Sequence, residues 1–460
     1  MKKILALVLS LVCILSVFSG CANDTTNNSN IGVNSGNAIE VTWWCSFTGE
    51  WEFWEKLVYE FNTTHGKEKN VFINMQGVPE GADMVVALEN GTAPDIVGIG
   101  NLAMYAEAGY LVPLNEVDLL KDLVEKTDFY KEGTNSWQGN TYCIPISTKL
   151  FGLAYNKDMF KAAGLVDENG EAKPPKSWDE VREYAKILTN KSKRQFGIVL
   201  PLGWSGWLGM EVQPSNQSSV GYSIFDPTTM QYDMSGFRYS LDAIMGMKAD
   251  GSVYPGEQGL DNDAARARFA EGNIGMKMAV SWDIAVWNDQ FPAKCDWGVA
   301  PLPTATGEDV YYQYCEYGFS SGINARSYKD KGEAIAIAFE YLFGEAAQLK
   351  AFEQGYYFPY LDLGDDVKVS VEKHGWDDFA ALLPTSKCAT GGYKRLMAPD
   401  FGSLQDQFVN NVWSGKMTVD QWIQNMTKEF NAGVAEYNQE NPGEDQSYIK
   451  DYDWATKINN

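Results

Sequence analysis

Histidine is scarce in this chain, and its cysteines follow no metal-binding or redox pattern. Only His65 and His374 occur among 460 residues, which argues against a histidine-based metal site. Of seven cysteines, none forms a CxxC pair or a zinc-type spacing. The cysteines beyond the first 21 residues are odd in number and far apart, namely Cys45, Cys143, Cys295, Cys315 and Cys388. We therefore expect no metal site, no cofactor and no complete internal disulfide framework.

Positive charge is also in short supply. The chain has 37 Lys and Arg residues against 61 Asp and Glu residues, a formal net charge of -24. Nucleic acids and anionic lipid surfaces require a basic protein surface, so we expect neither as a partner. No stretch of the chain approaches the roughly 20 apolar residues that a membrane-spanning helix needs.

The longest apolar run lies at the N-terminus. Lys2 and Lys3 precede apolar residues from Ile4 to Phe18, which is the layout of a secretory signal peptide. We predict that residues 1–20 are this signal peptide. Residues 21–37 are dominated by Asn, Thr, Ser and Gly after the first position, a composition typical of a flexible tether.

A cysteine follows the predicted signal peptide directly. The segment Val17-Phe18-Ser19-Gly20-Cys21 resembles the bacterial lipobox. That resemblance implies cleavage before Cys21 and attachment of a palmitate-bearing diacylglycerol to its thiol. Such a lipid would hold the protein durably at a membrane, because durable binding needs two or more acyl chains. The alternative is a chance cysteine behind an ordinary signal peptide. The two small residues before Cys21 and the polar tail behind it favour lipidation.

The rest of the chain alternates strand and helix patterns. Residues 39–43 alternate as a strand and lead into a helical stripe at Trp54, Leu57, Val58 and Phe61. Ser177 and Glu180 form a capping-box pattern before another amphipathic helix. Roughly 420 residues exceed what one hydrophobic core usually serves, so we expect two domains. The alternation predicts an α/β fold with largely parallel sheets.

Two enzyme-like motifs occur, and neither has the context that its chemistry requires. Residues 98–103 fit GxGxxA after a strand but lack a clear acidic strand end about 20 residues later. Residues 318–322 fit GxSxG with His374 downstream, yet a helix is expected only near Glu333 instead of directly behind the serine. We expect a protein that is not an enzyme.

Several ordered motifs together resemble the extracellular solute-binding protein family 1, the group that includes maltose-binding protein. They are Gly91-Thr-Ala-Pro-Asp95, Ala108-Gly-Tyr-Leu-Val-Pro-Leu114, Tyr155-Asn-Lys-Asp158, Pro175-Lys-Ser-Trp-Asp-Glu180, Phe269-Ala-Glu-Gly272, Ile274-Gly-Met-Lys-Met-Ala-Val-Ser-Trp282, Gly298-Val-Ala-Pro-Leu-Pro303 and Gly318-Phe-Ser-Ser-Gly-Ile-Asn324. Each motif alone is weak, whereas their order and spacing from about Ile39 to Tyr437 are specific.

The resemblance implies a two-lobed, type II periplasmic-binding-protein-like α/β fold with hinge crossings between the lobes. We predict that residues 38–148 plus 316–385 form the N-terminal lobe, and residues 149–315 plus 386–460 the C-terminal lobe. The crossings are expected near residues 147–149, 301–315 and 384–399. Such proteins close about a hinge, and binding proteins of this kind are a standard example of that motion.

A sugar presents flat C–H patches and a rim of hydroxyls, so its site needs aromatic faces beside hydrogen-bonding groups. Several of the 15 tryptophans stand where predicted elements end, which is where α/β folds place ligands. The predicted ligand-binding residues are Trp44, Ser46, Phe47, Asn101, Lys149, Trp204, Trp207, Trp282, Asp283, Tyr317 and Gly318.

Some of these residues have a structural alternative. By resemblance, Trp282 matches the tryptophan that stacks on sugar in maltose-binding protein, with a core position as the alternative. Trp204 and Trp207 lie in a Gly-rich loop that either lines the cleft or packs on itself. Asn101 either binds a hydroxyl or caps the next helix. Lys149 stands where maltose-binding protein has a carboxylate, so its maltose specificity is not expected to transfer.

Neighbouring positions complete these assignments. Trp43 continues the buried alternation of the first strand and is predicted to be core. Tyr317 and Gly318 lie at the crossing that returns the chain to the first lobe.

These patterns predict a monomeric, extracytoplasmic lipoprotein on the outer face of the cell membrane. It would capture a carbohydrate, most simply an oligosaccharide, and deliver it to the permease subunits of an ATP-driven (ABC) importer. One alternative is a cell-surface glycoside hydrolase, since a pair of carboxylates suffices for that chemistry. Another is a ligand-sensing partner of a surface receptor.

Overall fold

The structure is a computed structural model, which describes residues 31–34, 36–46, 50–126, 135–226, 228–308, 310–361, 372–388, 403–440 and 442. The predicted signal peptide, Cys21, most of the predicted tether and Phe47 lie outside the described residues. Within these ranges no helix is both long and apolar enough to cross a membrane.

Thirteen strands are present in the described ranges. They are β1 (Ile39–Cys45), β2 (Val71–Gly77), β3 (Ile96–Gly98), β4 (Ser136–Trp137), β5 (Asn140–Thr141), β6 (Cys143–Asn156), β7 (Phe196–Ile198), β8 (Phe225–Asp226), β9 (Gln231–Tyr232), β10 (Ile274–Val280), β11 (Trp297–Ala300), β12 (Gln313–Ile323) and β13 (Ser386–Cys388).

The α-helices alternate with these strands along the chain. They are α1 (Trp51–Thr63), α2 (His65–Lys69), α3 (Met84–Asn90), α4 (Leu102–Glu107), α5 (Lys121–Glu125), α6 (Lys157–Ala162), α7 (Trp178–Leu188), α8 (Pro214–Val220), α9 (Phe237–Asp250), α10 (Asn262–Ala270), α11 (Asp283–Ala285), α12 (Ala325–Phe343), α13 (Glu345–Glu353), α14 (Trp376–Ala380), α15 (Leu404–Gln407) and α16 (Val419–Glu440).

Shorter helical turns complete the described elements. Single 3₁₀ turns cover Leu114–Glu116, Asp118–Leu120, Lys191–Lys193, Glu257–Gly259 and Leu383–Thr385, and π-helical turns cover Leu208–Val212, Val286–Gln290 and Phe408–Trp413. Such π-helical turns are frequent at functional sites.

Local signals in the sequence explain where helices begin. The predicted cap of α7 is present, because the Ser177 hydroxyl accepts a hydrogen bond from the Glu180 N–H at 3.2 Å. The Glu180 carboxylate reaches back one residue further than a standard capping box and accepts from the Lys176 N–H at 2.7 Å. Two otherwise orphaned backbone donors are thereby satisfied at the start of the helix.

The longest strand, β6, joins two sheets. One sheet has the order β2-β1-β3-β12-β6 and the other β7-β10-β6-β11, so that β6 belongs to both. The outer pairs β1 with β2, β1 with β3 and β10 with β7 are parallel, whereas the pairs that involve the crossing strand β6 are antiparallel. Along β6 the partner changes between Leu150, which faces Cys315, and Phe151, which faces Val280. This change lies next to the predicted crossing at residues 147–149.

Buried apolar residues divide into separate cores on the two sides of this change. The N-lobe core contains buried residues of segments 31–146 and 323–361. The C-lobe core contains buried residues of segments 151–302 and 408–434. A third cluster combines further residues of segment 150–299 with Phe358, Trp376 and neighbouring residues of segments 315–382. Trp43 is buried in the N-lobe core, as predicted, with its ring 5.1 Å from that of Trp54. The α/β prediction is therefore confirmed.

Candidate binding cleft

A cavity of about 1300 Å³ lies between residues of the two cores. What we call the N-lobe wall consists of Glu50, Glu52, Trp54, Ile146, Ser147, Thr148, Gln354, Gly355, Tyr356, Tyr357 and Phe358. The C-lobe wall consists of Trp204, Asp261, Asn262, Asp263, Arg266, Ser281, Trp282, Ile284, Ala285, Val286, Asp289 and Gln290. Lys149, Lys373 and Trp376 lie at the junction. The volume exceeds what a single small metabolite fills.

Aromatic residues support the N-lobe wall from behind. Trp54 of α1 is fully buried and stacks on Tyr357, with ring centroids 6.0 Å apart and planes 21° apart. Burial raises the pKa of Tyr357 well above its usual range, and the nearby Glu50 adds to this effect. The Tyr357 hydroxyl is buried without a hydrogen-bond partner among the described residues. Tyr356, the next residue back, is only half-buried and presents its ring to the cleft.

The C-lobe wall presents two half-buried indoles. Trp282 follows β10 at the point where that strand ends, and Trp204 lies in the turn after β7. The Lys149 ammonium lies 5.4 Å from the centroid of the Trp282 ring and 3.4 Å from the Glu316 carboxylate. Ser281 connects this wall to the crossing strand β6 through two hydrogen bonds. Its backbone N–H donates to the Leu150 carbonyl at 2.9 Å, and its hydroxyl accepts from the Leu150 N–H at 3.2 Å.

A chain of charged groups lies behind Trp282. Asp283 is 1% exposed, and its carboxylate accepts from Arg266 Nε at 2.7 Å and from the Val280 N–H at 3.0 Å. Arg266 also donates to Asp263 at 2.8 Å. This carboxylate therefore fixes both the end of β10 and the guanidinium that reaches the cleft.

A second ion pair lies deeper in the same lobe. Lys277 of β10 pairs with Glu211, and both side chains are almost completely buried. The Lys277 ammonium also donates to the Met278 carbonyl at 2.8 Å. Burial raises the pKa of the Glu211 carboxyl to about 7, although the positive charge of Lys277 opposes the shift. This pair joins the strand that carries Trp282 to the π-helical turn Leu208–Val212.

Of the residues predicted for the site, Lys149, Trp204 and Trp282 line the cleft together. Asp283 does not, since it is buried and contacts Arg266 and the Val280 N–H instead. The prediction for Trp207 is wrong. This ring is 0% exposed and packs 5.7 Å from Phe408 in the C-lobe core, because the turn after Trp204 directs it inward against the C-terminal segment.

Trp44 and Ser46 line a second, smaller cavity of about 270 Å³ together with residues 98–100 and Tyr105. Asn101 follows this segment and caps α4, because its side chain accepts from the Met104 N–H at 3.1 Å. Of the two roles considered for Asn101, the structure shows the helix cap. Phe47 lies outside the described residues.

Tyr317 and Gly318 lie on β12 beside the cleft without lining it. Tyr317 is half-buried against the N-lobe core. A side chain at position 318 would meet the Ser147 hydroxyl, since an added Cβ would lie only 2.7 Å from it. An added side chain would therefore require Ser147 to change its side-chain position where β12 lies close to β6.

Sequence reasoning missed several residues of the cleft. Tyr356 follows α13 at an element end, the same signal that identified Trp282, and its position could have been found in that way. Glu50, Arg266 and Asp289 carry no such signal, because acidic and basic side chains at helix surfaces are common throughout the chain. Which of them face a cleft is decided by tertiary packing alone.

The enzyme-like motifs have no catalytic geometry in the described part of the chain. Ser320 lies inside β12, opposite Pro145, and the next helix begins only at Ala325. A serine nucleophile of the GxSxG type requires a helix directly behind it. Among the described residues no group of three or more His, Cys, Asp or Glu side chains could hold a metal ion.

Comparison with known proteins adds independent findings. The family model for bacterial extracellular solute-binding proteins matches residues 48–349. The sn-glycerol-3-phosphate-binding periplasmic protein UgpB of Brucella melitensis is 25% identical over 432 residues, which cover 88% of this chain and 95% of that protein. The maltotriose-binding protein of Pyrococcus abyssi is 26% identical over 241 residues, covering 51% of this chain and 47% of that protein.

Solved structures share the fold. The sugar-binding protein MalE of Xanthomonas citri aligns with a TM-score of 0.68 at 19% identity, covering 88% of this chain and 100% of that one. The GacH receptor of Streptomyces glaucescens, solved unliganded and with acarbose, aligns with a TM-score of 0.65 at 20% identity, covering 90% and 99%. The two-lobed fold predicted from the sequence is therefore confirmed.

Proposed function

Because the chain belongs to the bacterial extracellular solute-binding protein family, we propose that it captures a carbohydrate between its two lobes and delivers it to the permease of an ABC importer. The observation that supports this proposal most strongly is the composition of the cleft. Three half-buried rings, those of Trp204, Trp282 and Tyr356, line one cavity together with hydrogen-bonding side chains from both lobes. Flat aromatic faces beside directional polar groups suit a polyhydroxylated ligand.

The size of the cavity favours an oligosaccharide over a single sugar. A volume of about 1300 Å³ lies above the range of roughly 300–1,000 Å³ that holds most drug-sized ligands. In our proposal Trp282 and Tyr356 stack on sugar rings from opposite walls, and Trp204 extends the platform along the C-lobe. Closure about β6 and β12 then brings the two walls together on the ligand.

The crossing strand is suited to transmit this closure. β6 pairs with β12 on one side of Leu150 and with β10 on the other, so a bend at this point moves one wall relative to the other. At this point the Lys149 ammonium lies 5.4 Å from the centroid of the Trp282 ring, and the Ser281 hydroxyl accepts a hydrogen bond from the Leu150 N–H at 3.2 Å. The permease would bind the closed form preferentially, because an importer must distinguish loaded from empty binding proteins.

We also propose that Cys21 carries a lipid that holds the protein at the outer face of the cell membrane. The lipobox-like segment before it and the polar segment behind it support this proposal. Labelling of the intact cell with a palmitate analogue should mark the wild-type protein and leave Cys21→Ser unmarked. Equal release of the two proteins into the medium would contradict the proposal.

Isothermal titration against neutral mono-, di- and oligosaccharides tests the main proposal. We expect micromolar or tighter binding of at least one saccharide and recovery of that saccharide unchanged. Binding of a peptide or polyamine with no response to any saccharide would overturn the proposal. Release of reducing ends during the incubation would support a glycoside hydrolase instead.

A deletion strain separates transport from sensing. If the protein serves an importer, removing it abolishes uptake of the labelled saccharide that binds in titration. Unchanged uptake with an altered transcriptional response would assign the protein to a surface receptor. One group of relatives is named for binding sn-glycerol 3-phosphate, which is an anionic ligand. The charged side chains of the cleft decide whether such a ligand would fit here.

A further inference from the structure

The cationic and acidic side chains of the cleft differ in how many partners they already have within the protein. The described lining contains five carboxylates and three cationic side chains. We propose that the cleft selects carbohydrates without an anionic group and accepts an amino group in its place. This inference rests on the proposed function and specifies its ligand class.

Arg266 belongs to the C-lobe wall, and its charge is already balanced. Its guanidinium donates to Asp283 at 2.7 Å and to Asp263 at 2.8 Å. Asp283 is almost completely buried, so releasing the arginine would leave a buried carboxylate without its counter-charge. Such an exchange is strongly unfavourable. Two carboxylates thus already balance the charge of Arg266, which weakens its attraction for a phosphate.

The other two cationic side chains are engaged as well. Lys149 lies 3.4 Å from the Glu316 carboxylate and close to the Trp282 ring. Lys373 donates to the Gly355 carbonyl at 2.9 Å and lies 5.5 Å from the centroid of the Tyr356 ring. Both ammonium groups therefore support the aromatic residues that we assign to stacking. Lys149 is paired with a carboxylate, and Lys373 is held by a backbone carbonyl.

Glu52 and Asp263 are paired with Lys56 and Arg266, but two other carboxylates of the lining are in the opposite situation. Asp289, in the π-helical turn that lines the cleft, is exposed and makes no ion pair with a described residue. Glu50 makes none either, and burial raises its pKa, an effect that Lys373 partly offsets. A group in this position is stabilised by a ligand that brings hydroxyl donors or a positive charge.

The N-terminus of α1 does not reverse this balance. Helix N-termini favour anions, and this helix of 13 residues begins at the cleft. Its first turn, however, is flanked by Glu50 and contains Glu52, which pairs with Lys56, so two carboxylates line the cleft beside this helix end. The whole chain adds a formal net charge of -24, which disfavours the approach of anions at low ionic strength.

Titration with charge-matched ligands tests the inference. The first series is glucose, glucosamine, glucuronic acid and glucose 6-phosphate, and the second is cellobiose, the glucosamine disaccharide and N,N′-diacetylchitobiose, with sn-glycerol 3-phosphate measured separately. We expect neutral or amino members to bind, and the phosphate and uronate members to bind about tenfold or more weakly than their neutral match. An anionic member that binds as tightly as its match would overturn the inference and leave carbohydrate capture standing. If no member and no longer saccharide binds, the proposed function fails and this inference fails with it.

Variants connect the preference to the two carboxylates. In Glu50→Gln with Asp289→Asn, the difference in affinity between neutral and anionic members should shrink several-fold, and an amino member should lose its advantage. Glu68→Gln removes an exposed carboxylate outside the cleft and serves as the control, which should behave as wild type. Thermal unfolding verifies that both variants are folded. An unchanged preference in the folded double variant would show that these carboxylates do not cause it.

Discussion

The two walls of the cleft are supported in different ways. Behind the N-lobe wall lies an apolar stack in which Trp54 packs on Tyr357 and Phe53. Behind the C-lobe wall lie the buried charges of Asp283 with Arg266 and of Glu211 with Lys277. Apolar packing tolerates small shifts, whereas a buried ion pair strongly penalises the loss of either member. The comparison indicates that the position of Trp282 depends on charge balance, and that the position of Tyr356 depends on packing.

A large loss of stability is expected from breaking the deeper ion pair. Lys277→Met leaves Glu211 as an uncompensated buried charge, which should lower the free energy of unfolding by about 3–5 kcal/mol. Denaturant unfolding followed by circular dichroism measures the change. Replacing both residues with Met should restore most of the stability, because apolar residues of similar volume fill the space without charge.

An exposed pair provides the matched control. Lys121→Met breaks the pair with Asp118 at the surface of the N-lobe and should change stability little. If Lys277→Met were no more destabilising than Lys121→Met, the C-lobe wall would not depend on its buried charges.

Substitutions of Trp207 and Trp282 distinguish a residue of the C-lobe core from a residue that lines the cleft. Trp207→Ala removes a fully buried ring and should cost about 3–5 kcal/mol of stability, with little effect on the affinity of the folded fraction. Trp282→Ala should instead lower affinity for the tightest-binding saccharide about 30-fold or more, roughly 2 kcal/mol, with a small change in melting temperature. Calorimetric titration and thermal unfolding of both variants separate the roles. A large fall in melting temperature with unchanged affinity would assign Trp282 to the core.

The pH dependence of stability reports on Glu211. Its pKa of about 7 in the folded protein exceeds the value of roughly 4.5 expected for an exposed glutamate, so the folded state holds more protons than the unfolded state between these values. Stability should therefore be highest below about pH 4.5 as far as this group is concerned, and should fall as the pH rises through 7.

Unfolding of wild type and of the Met double variant at pH 5 and pH 8 measures this contribution. We expect wild type to lose about 1–3 kcal/mol more than the double variant over this interval. Equal losses would show that Glu211 does not titrate in this range.

The smallest effect concerns Lys149, which links the two walls. Lys149→Met removes a cation 5.4 Å from the Trp282 ring centroid and should weaken saccharide binding by about 0.5–1 kcal/mol. Lys387→Met removes a similar cation 4.3 Å from the Tyr312 ring, outside the cleft lining, and should leave affinity unchanged. Equal effects of the two substitutions would contradict a role of Lys149 at the site.

The fold could be predicted from the sequence to a large extent, because its signals are local or ordered. The stripe at Trp54, Leu57, Val58 and Phe61 forms α1, and the cap at Ser177 begins α7. Both depend on residues within one or two helical turns. The ordered motifs then indicated the family, which the family model confirms over residues 48–349.

The candidate site could be predicted only in part. Trp282 and Trp204 lie at element ends and line the cleft, whereas Trp207, only three residues beyond Trp204, is buried by contacts with Phe408. Those contacts join segments about 200 residues apart, so no local pattern separates the two indoles. No local pattern predicts the pairing of Asp283 with Arg266 either, so the sequence alone favours Asp283 as a ligand-binding residue.

A crystal structure of the protein with its tightest-binding saccharide tests the central claim most directly. We predict an intact saccharide between the two walls, with sugar rings stacked on Trp282 and Tyr356 and hydroxyls within hydrogen-bonding distance of Glu50 or Asp289. A saccharide bound elsewhere on the surface, or found cleaved within the cleft, would contradict the claim.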